Sequence, residues 1–143
     1  MSHDENRLDS TEHAMNTTRP LPATTHVPVV GAGPTGLALT TVLAQANVDC
    51  VLVDRLEAGQ STSRAAVVHA HTLDVLQSLG VAEALLTDGL RLAHFSVRDR
   101  DRVLVRIDFA GLPSPHAGLL MLPQERTEQR LAEALTRAGG TVH

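Results

Sequence analysis

The chain has 143 residues, enough for one domain of ordinary size, and its 43% hydrophobic and 20% charged residues form a balance that supports a packed core. A net charge of −4 and only two aromatic residues, Phe95 and Phe109, argue against a nucleic-acid partner, because neither a basic patch nor a stacking platform is present. Cys50 is the single cysteine, which excludes an internal disulfide and fits a reducing compartment, and no apolar run approaches the roughly 20 residues of a membrane helix.

Residues 1–26 are polar, lack periodicity and contain Pro20 and Pro22, so they are expected to form a disordered leader, with Met15 as an alternative start. The acidic opening MSHDENRLDS is wrong for a secretory signal, which points to a cytoplasmic protein. Val27–Val30 reads as a short strand, although Pro28 would cost a ladder hydrogen bond if it sat well inside one. The stretch VVGAGPTG then places Gly31, Gly33 and Gly36 at G-x-G-x-x-G spacing and opens a helix. Leu39, Val42, Leu43 and Ala46 recur at helical spacing and are expected to form its buried face. Cys50–Val53 is a second apolar strand, ending at Asp54. Strand, glycine turn, helix and strand make a βαβ unit with a parallel sheet.

Beyond Arg55 lies a polar loop, Glu57–Ser63, followed by Arg64, Ala65 and Ala66. Helices are expected over Thr72–Leu79, stopped by Gly80, and over Val81–Leu86. Leu92–Val97 and Val103–Phe109 flank the charged turn Arg98–Arg102 and predict a β-hairpin with a solvated tip. Leu119–Leu122 reads as a strand, and Glu125–Ala138 as a helix with Leu131 and Leu135 inward. Thr141–His143 resembles the first residues of another strand.

The glycine loop carries the chemistry. Gly31 allows the tight turn from strand to helix, Gly33 lets backbone approach a pyrophosphate, and Gly36 permits close helix–strand packing. The helix start adds free N–H groups and partial positive charge. Asp54 follows Gly36 at close to the separation of about 20 residues expected for a carboxylate that binds ribose hydroxyls. This fingerprint by itself does not separate FAD from NAD(P). No metal site is expected. His69 and His71 sit at H-x-H spacing, but they enter a helix where i and i+2 diverge, and no further ligand completes a set. His94 and His116 are scattered, Ser61, Ser63 and Ser114 lack a nucleophile context, and Cys50 is expected to be an inert buried thiol.

The segments VVGAGPTG, VLVDR, SRAAVVHAHTLDVLQSLGV and LPQERTEQRLAEAL, in that order, resemble the class A flavoprotein monooxygenases, the para-hydroxybenzoate hydroxylase-like family. The resemblance covers about residues 27–143 and implies FAD as cofactor, with NAD(P)H supplying electrons and a small aromatic or phenolic substrate hydroxylated with O2. By position it assigns Gly31, Gly33, Thr35 and Gly36 to the phosphate loop and Asp54 to the ribose, where the family usually has Glu. Arg55 follows that acid as it does in the family. Arg64 matches an arginine lying over the FAD, and Gln124 a glutamine at the flavin's ribityl region. No residue is assigned as a catalyst, because the flavin performs the chemistry. His71 stands where many relatives carry Arg, and Pro28 interrupts the usual aliphatic strand.

The implied fold class is α/β, a Rossmann-like FAD-binding βαβ unit with an inserted hairpin, truncated before the sheet and substrate domain are complete. Two later family motifs, "DG" and "GD", have no counterpart at the right place; Asp88-Gly89 comes too early. The chain is therefore expected to comprise a leader, 1–26, and a partial FAD-binding domain, 27–143, inactive alone and able to self-associate through its incomplete sheet. The alternatives are an NAD(P)-binding domain of a dehydrogenase, which the Arg64 and Gln124 matches oppose, and a non-catalytic remnant that needs a partner chain.

Overall fold

The computed structural model describes residues 20–55 and 67–143. In chain order the elements are β1 (Val27–Val30), α1 (Pro34–Gln45), β2 (Cys50–Val53), β3 (Val67–His69), α2 (Ala70–Gln77) and α3 (Ala82–Asp88). They continue with β4 (Leu90–Leu92), β5 (His94–Asp99), β6 (Arg102–Asp108), β7 (Leu119–Met121) and α4 (Gln124–Arg137).

β1 and β2 pair in parallel, from Val27 opposite Cys50 to Val30 opposite Val53, so the glycine turn and α1 make the expected βαβ crossover. On the other side of β2, Val142 bridges to Leu52 in parallel, and His143 N–H donates to the Leu52 carbonyl at 2.8 Å. The last three residues thus enter the sheet as their sequence suggests. β2 becomes the central strand, and Leu52 is fully buried.

Pro28 costs this sheet nothing on the β2 side. Val27 N–H donates to Asp49 and Gly31 N–H to Val53, so odd-numbered residues of β1 face β2. By strand alternation Pro28 turns its nitrogen to the opposite edge, where β1 has no partner among the described residues. The expected loss of a ladder bond is therefore avoided by parity.

A second sheet is antiparallel in the order β3-β7-β4. The expected strand Leu92–Val97 is in fact two pieces. Leu92 ends β4 against β7, the chain bends at Ala93, and β5 pairs with β6 instead. The hairpin tip is Arg100 and Asp101, flanked by the pair Asp99–Arg102, and Arg100 adopts positive φ. One core joins both sheets to the helices: Leu52, Leu73, Leu85, Leu120, Leu131 and Leu135 are each almost wholly buried. α3 is tied to α4 by a bidentate pair, with Arg130 Nε and Nη2 donating to Asp88 at 2.7 and 2.9 Å. Asp88 therefore has a packing role.

The buried face of α1 differs from the expected one. Leu39 and Val42 are about half exposed (47% and 48%), Leu43 is partly buried and Ala46 is exposed, whereas Leu37, Thr40 and Thr41 are buried. The helix is apolar nearly all round, so hydropathy defines no single face. The threonines enter the interior because each hydroxyl is satisfied by the turn above it, donating to Gly36 O at 2.8 Å and Leu37 O at 2.7 Å. Cys50 is only partly buried, and that burial together with the neighbouring Asp49 carboxylate pushes its thiol pKa up, which keeps the unreactive thiol form.

Candidate functional site

The three glycines of the loop are glycine for different reasons. Gly31 has φ of 101°, a conformation that side chains resist. At Gly36 an added Cβ would lie 1.9 Å from the Gly31 carbonyl oxygen, so helix and turn touch backbone to backbone. Gly33 has neither constraint. Its backbone is extended, with φ −72° and ψ −179°, and among the described residues an added Cβ would meet only Glu128 Oε1, at 4.0 Å. Nothing among the described residues requires glycine at that position. Among these residues, the space beside the start of α1 is open at this point.

That space is suited to an anion. Gly33 caps α1 without any side-chain hydrogen bond, Pro34 follows, and the first turn holds no acidic residue. The first-turn N–H groups have no acceptors within the helix, and the aligned peptide dipoles place partial positive charge there. Thr35 is exposed at this helix start, as a hydroxyl meant for a ligand would be.

Asp54, at the carboxyl end of β2, closes the loop from the strand side. Its Oδ2 accepts from Ala32 N–H at 2.5 Å, between Gly31 and Gly33. Its spacing from the glycines predicts a sugar contact; the structure shows that it holds the glycine loop. Its own backbone N–H donates to His143 O at 2.8 Å, which ties the turn to the third strand. Arg55, the next residue, is exposed.

From the opposite side comes α4, which packs against α1. Gln124 opens α4, partly buried, and its Nε2 donates to Glu128 Oε1 at 2.8 Å, the oxygen that faces Gly33. Gly31, Gly33, Gly36, Asp54 and Gln124 are thus brought around one cradle. Arg64 lies outside the described residues, as do Ser61 and Ser63. Glu128 was not anticipated from sequence. Its only signal is the i, i+4 spacing from Gln124, which reads as an ordinary helix-surface pair.

The histidines lie elsewhere. His69 and His71, at the start of α2, are both exposed. His116 is buried and bonds Gln77 Oε1 at 3.0 Å through Nε2, while Ser114 donates to Asp74 at 2.8 Å, so both fasten the loop before β7 to α2. An open cavity of about 360 Å3, lined by Thr40, Ala44, Asp49, Cys50, Ala138 and Thr141, opens at the amino end of β2. Ligands of parallel α/β sheets bind at the carboxyl ends of the strands, where the glycine loop is.

Residues 24–143 match the family described as FAD binding domain. The chain belongs to that family. It is 40% identical over 113 residues to a 6-methylpretetramide 4-monooxygenase of Streptomyces rimosus, an alignment covering 78% of this chain and 20% of the relative. It is 29% identical over 108 residues to a pentachlorophenol 4-monooxygenase of Sphingobium chlorophenolicum, covering 75% of this chain and 20% of that protein. Among solved structures, the flavin-dependent monooxygenase PieE, in complex with FAD and substrate, superposes with a TM-score of 0.70 at 26% identity, over 86% of this chain and 24% of its own. The p-nitrophenol 4-monooxygenase PnpA of Pseudomonas putida DLL-E4 reaches a TM-score of 0.76 over 82% of this chain and 31% of its own; at 22% identity it speaks for the fold alone. The chain spans about a fifth of the curated relatives' length. FAD is the cofactor of this family, and the Rossmann-like α/β fold is the one expected.

Proposed function

We propose that this chain forms the FAD-holding part of a flavoprotein monooxygenase that hydroxylates a small aromatic or phenolic substrate with NAD(P)H and O2. The observation that carries the reading is Gly33, a glycine that neither its backbone conformation nor packing among the described residues demands, beside a helix start with no side-chain cap. In this reading the α1 N–H groups and Thr35 hold the pyrophosphate, and Gly33 leaves room for it. Gly31 and Gly36 shape the turn. Asp54 accepts from the adenosine ribose while anchoring the loop through Ala32, and Arg55 beside it and Arg64 add positive charge near the phosphates. Gln124 meets the ribityl chain. Bound flavin supplies the redox chemistry, and these residues bind and orient it.

The folded unit is assigned to residues 27–143 and the leader to 1–26, in a cytoplasmic protein; no helix among the described residues is long and apolar enough to cross a membrane. The outer edge of β1 is a candidate for self-association, since an open strand edge offers unsatisfied backbone groups.

The test is a titration of the purified chain with FAD, ADP, FMN and NAD(P)H. FAD and ADP should bind in preference to FMN, which lacks the ADP half that the loop is shaped to hold. Tightest binding of FMN would sink the reading, and NAD(P)H binding more tightly than FAD would return the chain to the dehydrogenases.

A further inference from the structure

Nothing among the described residues covers the β5–β6 hairpin. All of its strand residues are exposed, and it pairs with neither of the other sheets. A two-stranded ribbon by itself is marginal in water, and stability normally needs further strands. The backbone shows where they fit. Phe109 N–H donates to the Ala93 carbonyl at 2.9 Å, in step with the pairs Phe95–Ile107 and Val97–Val105. Alternation then aims the N–H and C=O groups of Arg106 and Asp108 away from β5, along an edge with no partner strand among the described residues. The register shift beside Val97 and Arg98 leaves Leu104 without an opposite residue, so the regular part of this edge is Val105–Asp108. It holds no proline, whereas the open edge of β1 lacks the donor that Pro28 removes.

This edge is complementary to itself. Two copies pairing antiparallel about a two-fold axis keep the outward groups face to face when the axis passes Arg106, Ile107 or Asp108. An axis at Arg106 sets arginine against arginine, and one at Asp108 sets carboxylate against carboxylate; both are unfavourable. An axis at Ile107 sets Arg106 of each copy opposite Asp108 of the other, so each pair exchanges backbone bonds and carries opposite charges. The β5 edge offers only His94 and Ser96 for the same purpose.

We infer that β6 is a self-pairing edge, through which two copies of this chain join antiparallel about Ile107. The result is a sheet in the order β5-β6-β6-β5, with Phe95, Val97, Val105 and Ile107 of both copies on one continuous apolar face. An edge-to-edge contact of this kind buries less than the roughly 1,200 Å2 of stable complexes, so the dimer forms only as concentration rises. The inference is independent of the cofactor.

The experiment is sedimentation velocity of the 143-residue chain over a wide range of concentration, with thermal unfolding at the lowest one as a check on the fold. The unaltered chain should pass from monomer to dimer. Arg106→Asp and Asp108→Arg each set like charges face to face and should raise the dissociation constant about tenfold. An equal mixture of these two variants restores opposite charges in both pairs and should dimerise as well as the unaltered chain. Asp108 also accepts from Ala110 N–H at 2.9 Å, so Asp108→Asn provides a gentler variant that keeps an acceptor there. It should weaken the dimer severalfold with the fold intact. A chain that stays monomeric throughout would overturn the inference, as would a mixture that stays monomeric. A dimer indifferent to all three substitutions would also overturn it and move self-association to the β1 edge.

Discussion

The β1–β2 pair and the β5–β6 hairpin are both strand pairs rich in valine, yet they end up in opposite environments. Val29, Val51 and Leu52 are buried between helices and neighbouring strand, whereas every residue of β5 and β6 is exposed. The hairpin is nevertheless well patterned. Phe95 pairs with Ile107 and Val97 with Val105, which puts four apolar side chains on one face, while Ser96–Arg106 and His94–Asp108 occupy the other. The difference shows that alternation and a turn suffice to shape a ribbon, but burial decides where stability and a rigid site are found. The proposed cofactor cradle sits on the buried pair.

If that contrast is right, damage at the first ribbon should be costly and damage at the second nearly silent. The largest effect is expected for Gly36→Ala. The new methyl would meet the Gly31 carbonyl at 1.9 Å, backbone against backbone, and the loss should reach about 3 kcal/mol or more in urea unfolding. A Gly36→Ala protein as stable as the parent would mean that α1 does not press on the turn as described.

A smaller, pH-dependent effect belongs to the clamp between α3 and α4. Hydrogen bonds from Arg130, helped by its charge, hold the Asp88 carboxyl below the usual carboxylate range, and the same bonds raise the Arg130 guanidinium. The folded state thus binds fewer protons at Asp88 than the unfolded state. The stabilisation is complete above the unfolded carboxyl value of about 3.9 and is lost as pH falls through the lower folded value. Asp88→Asn should flatten the acid limb of the stability curve below about pH 4 and leave its slope near neutrality unchanged. An unaltered acid limb would show that the clamp is not maintained in solution.

The smallest effect is expected at the hairpin. Val97→Thr with Val105→Thr keeps β-branched side chains on an exposed face and should shift stability by about 0.5 kcal/mol or less. A loss of several kcal/mol would place that face in a core and erase the contrast between the ribbons.

The legible part of this protein is where local chemistry has one outcome. Gly31 and Gly36 at their spacing leave the chain little choice but a strand, turn and helix, and β1 and β2 fall on the expected residues. Faces and partners were harder to read. α1 carries apolar residues on all sides, so its orientation depends on packing against α4 and β2, and two threonines with internally satisfied hydroxyls go inside. On α4, by contrast, Leu131 and Leu135 are buried as their spacing predicts. Leu92–Val97 looks continuous, and only competition between β7 and β6 for pairing divides it at Ala93. In the candidate site, spacing marks the loop and Asp54, but nothing marks Glu128. It reaches Gly33 from a helix far along the chain.

The claim that matters most is that Gly33 is glycine for a ligand. The direct measurement is FAD titration of the parent and of Gly33→Val, followed by flavin fluorescence, with thermal unfolding of both proteins free of ligand. An extended backbone and open surroundings should let valine in with a stability change of about 1 kcal/mol or less, while FAD affinity falls at least tenfold because the branched side chain occupies the pyrophosphate's place. Equal FAD affinity in the two proteins, or a Gly33→Val chain that no longer folds, would contradict the account.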